Sequence, residues 1–481
     1  MSSWFAKLAA KPQRTILFLG LVLLLAGNGL LPLTDRDEAR FAEASREMIQ
    51  RGDFVVPWFN GAWRFDKPVL IYWCQIASYK IFGVNEFAAR LPSALFCIGT
   101  ALLLARWAKK RSNNQTALIA GLMFLTALHV AVVIGRVATA DMAMIFFCTL
   151  AAWSGWELTR PENPERKNWW WIFYGALAFG FLAKGPVAWL PLLGMILGRV
   201  FRKDSFRLPL NETVVGLCLA VALVALWGGP ALAQTDGKFW TIGMGEHVIN
   251  RSLDVINGHG SSGFLQFIAL LPLYFLTFFV SFFPWSLRVP GALKKWWPER
   301  QRDDLGWFLL VNALIIFTVF SLVKTKLPHY TMPAFPLLAL WLARQISGEA
   351  KIALWFTRRL AVTVGIILVV TVGGFGFARS HFLTQNLWNA THPYVKPETK
   401  IGCFGFSEPS LVWKFRAVTT NYLTLGELTQ AKDFLTNAPP FILVVPTDAL
   451  AKLPDTNGLL ISVHGLDVVK FKNRDLTAIV R

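Results

Sequence analysis

Apolar residues fall in runs of about 20, long enough to cross a bilayer core of about 30 Å, with short polar breaks between them. The runs lie near 14–33, 86–107, 115–134, 137–157, 169–183, 186–201, 211–233, 263–285, 305–323, 330–346 and 357–377. This pattern predicts a polytopic α-helical membrane protein with about 11 (11–13) spans. The pair 169–183 and 186–201 is separated only by Lys184-Gly185-Pro186 and reads as a tight helical hairpin. The stretch 69–82 is apolar but short, and is expected at the interface or as a re-entrant segment. The first run follows Lys7, Lys11 and Arg14 in the manner of a signal peptide. It is long and no small-residue cleavage site follows, so it is expected to stay as an uncleaved first span.

Beyond residue 377 the pattern changes. Residues 378–481 are more polar, with short apolar runs such as Phe441-Ile442-Leu443-Val444-Val445 that suit buried strands. Leu428, Ala431 and Leu435 keep helical spacing. The expected division is a membrane module over 1–377 and a small soluble α/β domain over 378–481.

Composition agrees. The chain is 54% hydrophobic and 16% charged, against about 25% charged residues in ordinary soluble domains. A soluble enzyme and a disordered chain are both excluded. A net charge of +19 would suggest nucleic acid in a soluble protein, so the positions of the cations decide. With the N-terminus placed in the cytoplasm, loop alternation puts Lys7, Lys11 and Arg14 inside, followed by Arg106, Lys109, Lys110 and Arg111. Arg160, Arg166 and Lys167 come next, then Arg199, Arg202, Lys203 and Arg207. The last two inside loops hold Arg288 to Arg302 and Arg344 to Arg359. All six are cation-rich, as the positive-inside rule requires, and 23 of the 48 basic residues are accounted for without nucleic acid. Cys74, Cys97, Cys148, Cys218 and Cys403 stand at no metal-ligand spacing and read as small core residues.

The same alternation leaves outside a long first loop (34–85), the turns 136–141, 184–186 and 324–330, the loop 234–262, and the tail. The first loop opens with Thr34-Asp35-Arg36-Asp37-Glu38-Ala39-Arg40-Phe41. Positions 37, 40, 41 and 44 share one helical face, which presents a carboxylate, a guanidinium and an aromatic ring. Thr34 with Asp37, or Asp35 with Glu38, also fits a capping box. Trp63-Arg64-Phe65-Asp66-Lys67-Pro68 reads either as an Asp-Lys ion pair at the surface or as a phosphate-binding lysine with its orienting acid. Asp141 lies near the outer end of a span, where a carboxylate is costly unless paired or wet, and Arg136 is a candidate partner. Lys184 and Pro186 also suit the shaping of the hairpin turn. Glu246-His247, Arg251 and His259 mark the 234–262 loop, with a metal role, a phosphate role and a solvated histidine all open. Lys324-Thr325-Lys326-Leu327-Pro328-His329-Tyr330 brings two cations to the outer side, against the charge trend. Cations and carboxylates gathered at the lipid headgroup level suit chemistry on a lipid phosphate.

Together, Asp37-Glu38-Ala39-Arg40-Phe41, Phe65-Asp66-Lys67-Pro68, Lys184-Gly185-Pro186, Glu246-His247 and Lys324–Tyr330 resemble the bacterial ArnT-like glycosyltransferases. These are grouped with the protein O-mannosyltransferases in the GT-C superfamily. The resemblance runs from about residue 14 to 345, and Pro409-Ser410-Leu411-Val412 extends it into the tail. The Trp-Trp-Asp pattern of oligosaccharyltransferases is absent from the sequence. The resemblance implies a multi-span enzyme of the bacterial inner membrane whose catalytic face and C-terminus are periplasmic. It would take a sugar from a polyprenyl (undecaprenyl) phosphate donor. In the aminoarabinose branch the acceptor is a lipid A phosphate, and in the mannosyl branch it is a Ser or Thr hydroxyl. A transporter of lipid-linked sugars is the competing class.

The resemblance also implies site residues. Asp37 would stand at the reaction centre; Glu38, Asp66 and Asp141 are further candidate catalytic acids from their place on the outer side. Lys67 would meet the donor phosphate, with Arg40, Arg251, Lys324, Lys326 and Tyr330 as further phosphate-binding candidates. A divalent metal would fall to Asp66 and His247. Two departures stand out: Asp66 where the aminoarabinose branch commonly has Glu, and Phe41 where it has Tyr. The shorter Asp66 would displace a metal ligand by about one methylene.

Overall fold

The computed structural model describes residues 3–33, 36–160, 162–201, 208–250, 264–349, 351–468 and 470–481. Among these, five helices are long and apolar enough to cross a membrane, or up to seven if two bent pairs each form one span. The first bent pair joins α1 (Ser3–Ala10) to α2 (Pro12–Leu25) at 100°. Pro12 suits the bend, because a proline in the first turn forfeits only an N–H that would have no partner there.

Between α2 and the next spans lie α3 (Arg36–Arg51), a two-stranded hairpin of β1 (Trp58–Phe59) and β2 (Ala62–Trp63), and α4 (Leu70–Phe82). Asn60 and Gly61, with φ of 52° and 80°, make the hairpin turn. An Asn-Gly pair is favoured there because both central residues need positive φ. The bundle continues with α5 (Glu86–Arg111), α6 (Asn114–Thr126), α7 (Asp141–Leu158), α8 (Arg166–Lys184), α9 (Leu190–Phe201) and α10 (Leu210–Gln234).

By length, Arg166–Gly198 is a single 33-residue helix, about 50 Å if straight. It turns back at Gly185 instead, where φ is 75°. Trp189 Nε1 donates to Leu177 O at 3.0 Å. Ala188 lies against Gly180, and Met195 meets Phe173 beside Gly155. Residues 188, 189 and 195 therefore pass 180, 177 and 173 in reverse order, as the expected hairpin does.

Ion pairs gather the basic loops at one end of the bundle. Lys110 pairs with Glu165 at 2.9 Å and Arg111 with Glu157. Arg166 pairs with Glu212 at 2.6 Å, Arg344 with Asp303 at 3.0 Å, and Arg288 with Glu349. These cations belong to four of the six loops that alternation groups together. Asp141 and Glu157 sit near opposite ends of α7, so the groups around Asp141 lie at the other end.

The C-terminal residues form a five-stranded sheet of order β4-β3-β5-β7-β6. Its strands are β3 (Lys400–Phe404), β4 (Thr424–Gly426), β5 (Phe441–Pro446), β6 (Leu459–Asp467) and β7 (Lys472–Val480). β3 is parallel to β4 and β5, and β7 is antiparallel to β5 and β6. Central β5 has Cys403 opposite Val444 on one side and Ala478 opposite Val444 on the other. Being covered on both faces, it reads as an unbroken apolar run.

Helix α3 is polar in composition yet largely buried, because it is clamped from two sides. Glu38 bonds Arg90 of α5 at 2.6 and 2.9 Å. On the other side the Pro409–Phe415 helix presents Trp413 O to Arg46 at 2.9 Å, and Arg416 reaches Gln50 at 2.9 Å. Glu43 lies between Arg46 and Arg416. Lys414 bonds Glu86 at 2.6 Å, and Asn60 exchanges two hydrogen bonds with the Leu423 backbone. Buried charges of this kind persist only when paired, and the pairing fixes how α3 presents its first turn.

Candidate functional site

At the end of the bundle away from the basic loops lies a cavity of about 640 Å³. Its polar wall carries Asp37 from the start of α3, Asp66 and Lys67 from the first loop, Asp141 from α7, Lys184 from α8, and His329 and Tyr330. Its apolar wall is built from one side of α10, including Val221, Val224, Trp227 and Leu232, with Phe239, Val319 and Phe320. Gly228 and Gly229 lie on this wall with nothing within 4 Å of where a Cβ would stand. Charged groups at one side and a greasy trough at the other suit an amphiphile with an anionic head.

Asp37 and Phe41, one helical turn apart, both line the cavity as their shared face requires. The Asp37 carboxylate is 57% exposed and stands 3.9 Å from Arg40. Lys67 Nζ donates to Asp66 O at 2.9 Å, and Asp66 Oδ2 pairs with Arg64 at 2.9 Å. Lys184 Nζ donates to Asp141 Oδ1. Thr139 Oγ1 donates to Asp141 Oδ2 at 3.0 Å, and His329 Nε2 stands 4.0 Å from the same carboxylate. Burial pushes the His329 imidazole down to about 4, against the pull of Asp141, so it is neutral near pH 7. Lys184 also lies over the Tyr330 ring, 5.8 Å from its centroid.

Several expected site residues sit elsewhere. Glu38 is 1% exposed, held by Arg90, and accepts from Ala138 N at 2.9 Å. It braces α3 against α5 and does not line the cavity. Arg40 stands beside Asp37 but is not part of the cavity wall. Lys326 is buried and donates to Phe320 O at 3.2 Å and to Ser321 O. It caps the C-terminus of the Asp304–Leu322 helix, where unpaired carbonyls attract a cation. Lys324 is exposed and outside the wall. Arg136 is not the partner of Asp141: it donates to Ala131 O at 2.8 Å, Ala26 O at 2.9 Å and Leu23 O. Arg251, His259, Thr34 and Asp35 lie outside the described residues, as does the side chain of His247.

The metal expected at Asp66 and His247 meets an obstacle. Arg64, itself 6% exposed, already holds the Asp66 carboxylate. Among the described residues no group of three or more His, Cys, Asp or Glu is placed to hold a metal ion. The described donors do not fit a divalent ion, and no step below is routed through one. The five cysteines are free thiols; Cys218 departs from the core reading, being exposed on α10.

The sequence does not single out Arg64 as a site residue and leaves Lys184 open between a turn role and a site role. Lys184-Gly185-Pro186 was visible as a motif. The signal for Arg64 was a cation two residues before Asp66, and its burial is a property of the fold alone.

Residues 66–227 match the family described as Dolichyl-phosphate-mannose-protein mannosyltransferase. The chain is 32% identical over 378 residues to an undecaprenyl phosphate-alpha-4-amino-4-deoxy-L-arabinose arabinosyl transferase of Pectobacterium atrosepticum, covering 75% of this chain and 66% of the relative. A protein of the same name from Yersinia pestis is 32% identical over 372 residues, covering 76% and 65%. The chain thus spans just under two thirds of the length of these relatives. Among solved structures, ArnT from Cupriavidus metallidurans bound to undecaprenyl phosphate superposes with a TM-score of 0.76 at 18% identity, covering 99% of this chain and 98% of that one. The archaeal oligosaccharyltransferase AglB from Archaeoglobus fulgidus gives a TM-score of 0.52 at 12% identity, covering 93% and 70%. The fold is therefore that of a helical membrane GT-C protein, and the likeness to the ArnT group holds in sequence as well.

Proposed function

Starting from the ArnT-like fold and sequence, we propose that the chain is a membrane glycosyltransferase. It moves a sugar of the aminoarabinose kind from an undecaprenyl-phosphate-linked donor to a phosphate of lipid A. The observation that carries this reading is that Asp37 and Lys67 line one cavity whose far wall is apolar. That wall takes the isoprenoid chain, and the charged wall takes the phosphate and the sugar.

In the transfer, the bond between the anomeric carbon and the donor phosphate oxygen breaks, and undecaprenyl phosphate leaves with the electron pair. Lys67 offsets the charge that develops on that oxygen, so no proton need be delivered to it. An acceptor oxygen forms the new bond from the opposite face, with inversion. Asp37 positions an ionised phosphate acceptor and stabilises positive charge on the sugar ring. It would take the proton of a hydroxyl acceptor. Asp141, neutralised by Lys184, shapes the sugar end of the cavity, and Tyr330 closes it.

The topology that accompanies this reading has eleven spans, a cytoplasmic N-terminus, and residues 378–481 as a periplasmic domain packed on α3. The clustering of basic loops at one end supports it. Incubating the purified protein with labelled undecaprenyl-phosphate-aminoarabinose and lipid A tests the function. The reading expects label covalently on lipid A phosphate; label moved across the bilayer without transfer would mean a transporter. The match of residues 66–227 to the protein mannosyltransferase family favours a second reading, a Ser or Thr acceptor. Mass analysis of lipid A and of secreted proteins from a deletion strain separates the two.

A further inference from the structure

We infer that Arg64 supplies at Asp66 the fixed positive charge that a divalent ion would otherwise supply, and so acts as the positioning residue for Lys67. Arg64 lies behind the cavity wall, 6% exposed. Burying a cation costs several kcal/mol unless it is well paired, and this one has three partners. Its Nη2 stands 2.9 Å from Asp66 Oδ2. Its Nε donates to Tyr72 Oη at 3.1 Å. Its guanidinium lies over Phe41, 5.0 Å from the ring centroid. Tyr72 belongs to α4 and Phe41 to α3, and their rings are 5.3 Å apart. The guanidinium therefore ties three separate segments: the 64–67 loop, α4, and the helix whose first turn holds Asp37.

The chemical consequence is specific. A guanidinium keeps its charge at every physiological pH, so Asp66 has a permanent counter-ion. A second cation of charge two at the same carboxylate would meet that charge at close range. With Asp66 anchored, its carbonyl is free to accept from Lys67 Nζ, which orients the ammonium along the cavity wall. Phe41, lacking a hydroxyl, offers Arg64 only its π face.

The role of Lys67 in holding the lipid phosphate rests on the proposed function; the metal half of the inference does not. The test uses the full chain in lipid nanodiscs, with undecaprenyl phosphate as probe and quenching of the cavity tryptophans, Trp227 and Trp240, as signal. Wild type is expected to bind equally well with and without EDTA, and to carry no stoichiometric divalent metal by elemental analysis. Arg64→Met should weaken binding about tenfold, the worth of a hydrogen bond to a charged group. Asp66→Asn should weaken it by a similar factor, and the double variant by no more than either. Arg64→Lys, which keeps the charge without the fork, should recover part of the loss. Fully additive losses, or Arg64→Met binding like wild type, would overturn the positioning role. Stoichiometric metal in wild type that is lost in Asp66→Asn would overturn the metal half. Wild type that fails to bind undecaprenyl phosphate would sink the proposed function, while the elemental analysis would still decide whether Arg64 stands in for an ion.

Discussion

Lys184, the last residue of α8, donates from its ammonium to Asp141, the first residue of α7, and both side chains are largely buried in the cavity wall. The chain turns at Gly185 just beyond the lysine, so the pair locks the hairpin to its neighbour at the level where the substrate would bind. Removing one partner leaves the other as an uncompensated buried charge, which costs about 3–5 kcal/mol. Lys184→Met should therefore lower the melting temperature in detergent more than the double variant Lys184→Met/Asp141→Asn does. Equal melting of single and double variants would show that the pair is not coupled.

Asp37 is exposed to the cavity, whereas its neighbour Glu38 is buried against Arg90. Asp37→Asn should leave insertion and melting unchanged while transfer falls about 10²–10⁴-fold, the usual cost of losing such a group. Glu38→Gln should do the reverse, lowering the melting temperature by loosening the Arg90 pair, with activity following the folded fraction. Turnover measured at equal folded concentration separates the two.

Lys67 lines the cavity, and its ammonium donates to the Asp66 carbonyl. Lys67→Ala should raise the KM for the lipid-linked donor about 10–100-fold by removing a charge-assisted phosphate contact. Lys326→Ala, by contrast, removes a cap on the Asp304–Leu322 helix and should lower stability by about 1 kcal/mol with an unchanged donor KM. An effect of Lys326→Ala on donor KM alone would return that lysine to the phosphate site.

Glu408, in the C-terminal residues, accepts from Thr384 and Ser410 and lies beside the Asp467 carboxylate. Burial, with Asp467 adding to it, raises its carboxyl from 4.5 to about 7. A carboxyl raised on folding stabilises in its protonated form, so its contribution is complete below about pH 4.5 and is lost as pH rises through about 7. Protection factors of β3 and β6 amides, taken relative to the intrinsic exchange rate at each pH, should therefore be higher at pH 5.5 than at pH 8. Glu408→Gln should flatten that difference.

Much of the arrangement was legible along the chain. The basic residues of the alternate loops meet through Glu157, Glu212, Asp303 and Glu349 because they share one end of the bundle. The hairpin at Lys184-Gly185-Pro186 and the strand at Phe441–Val445 followed from run length and from the two covered faces of a central strand. What was hidden depended on contacts between distant segments. Asp37 and Glu38 are adjacent acids, and a 3.6-residue repeat turns them about 100° apart; only the position of Arg90 tells which one is spent on structure. Lys326 looked like a substrate cation because its sign broke the charge trend, yet unpaired helix carbonyls recruit the same sign. Arg136 went the same way, to three carbonyls instead of Asp141. Arg64 was invisible as a site residue because nothing local distinguishes a buried guanidinium from a solvated one.

The account stands on Asp37 and Lys67 serving one substrate, and an electron cryomicroscopy map of the protein with undecaprenyl phosphate tests that most directly. The phosphate is expected within hydrogen-bond distance of Lys67 Nζ, on the same side as Asp37, with the isoprenoid running along Val221–Leu232. Lipid density at the end marked by Arg111 and Glu157, with the Asp37 cavity empty, would contradict it.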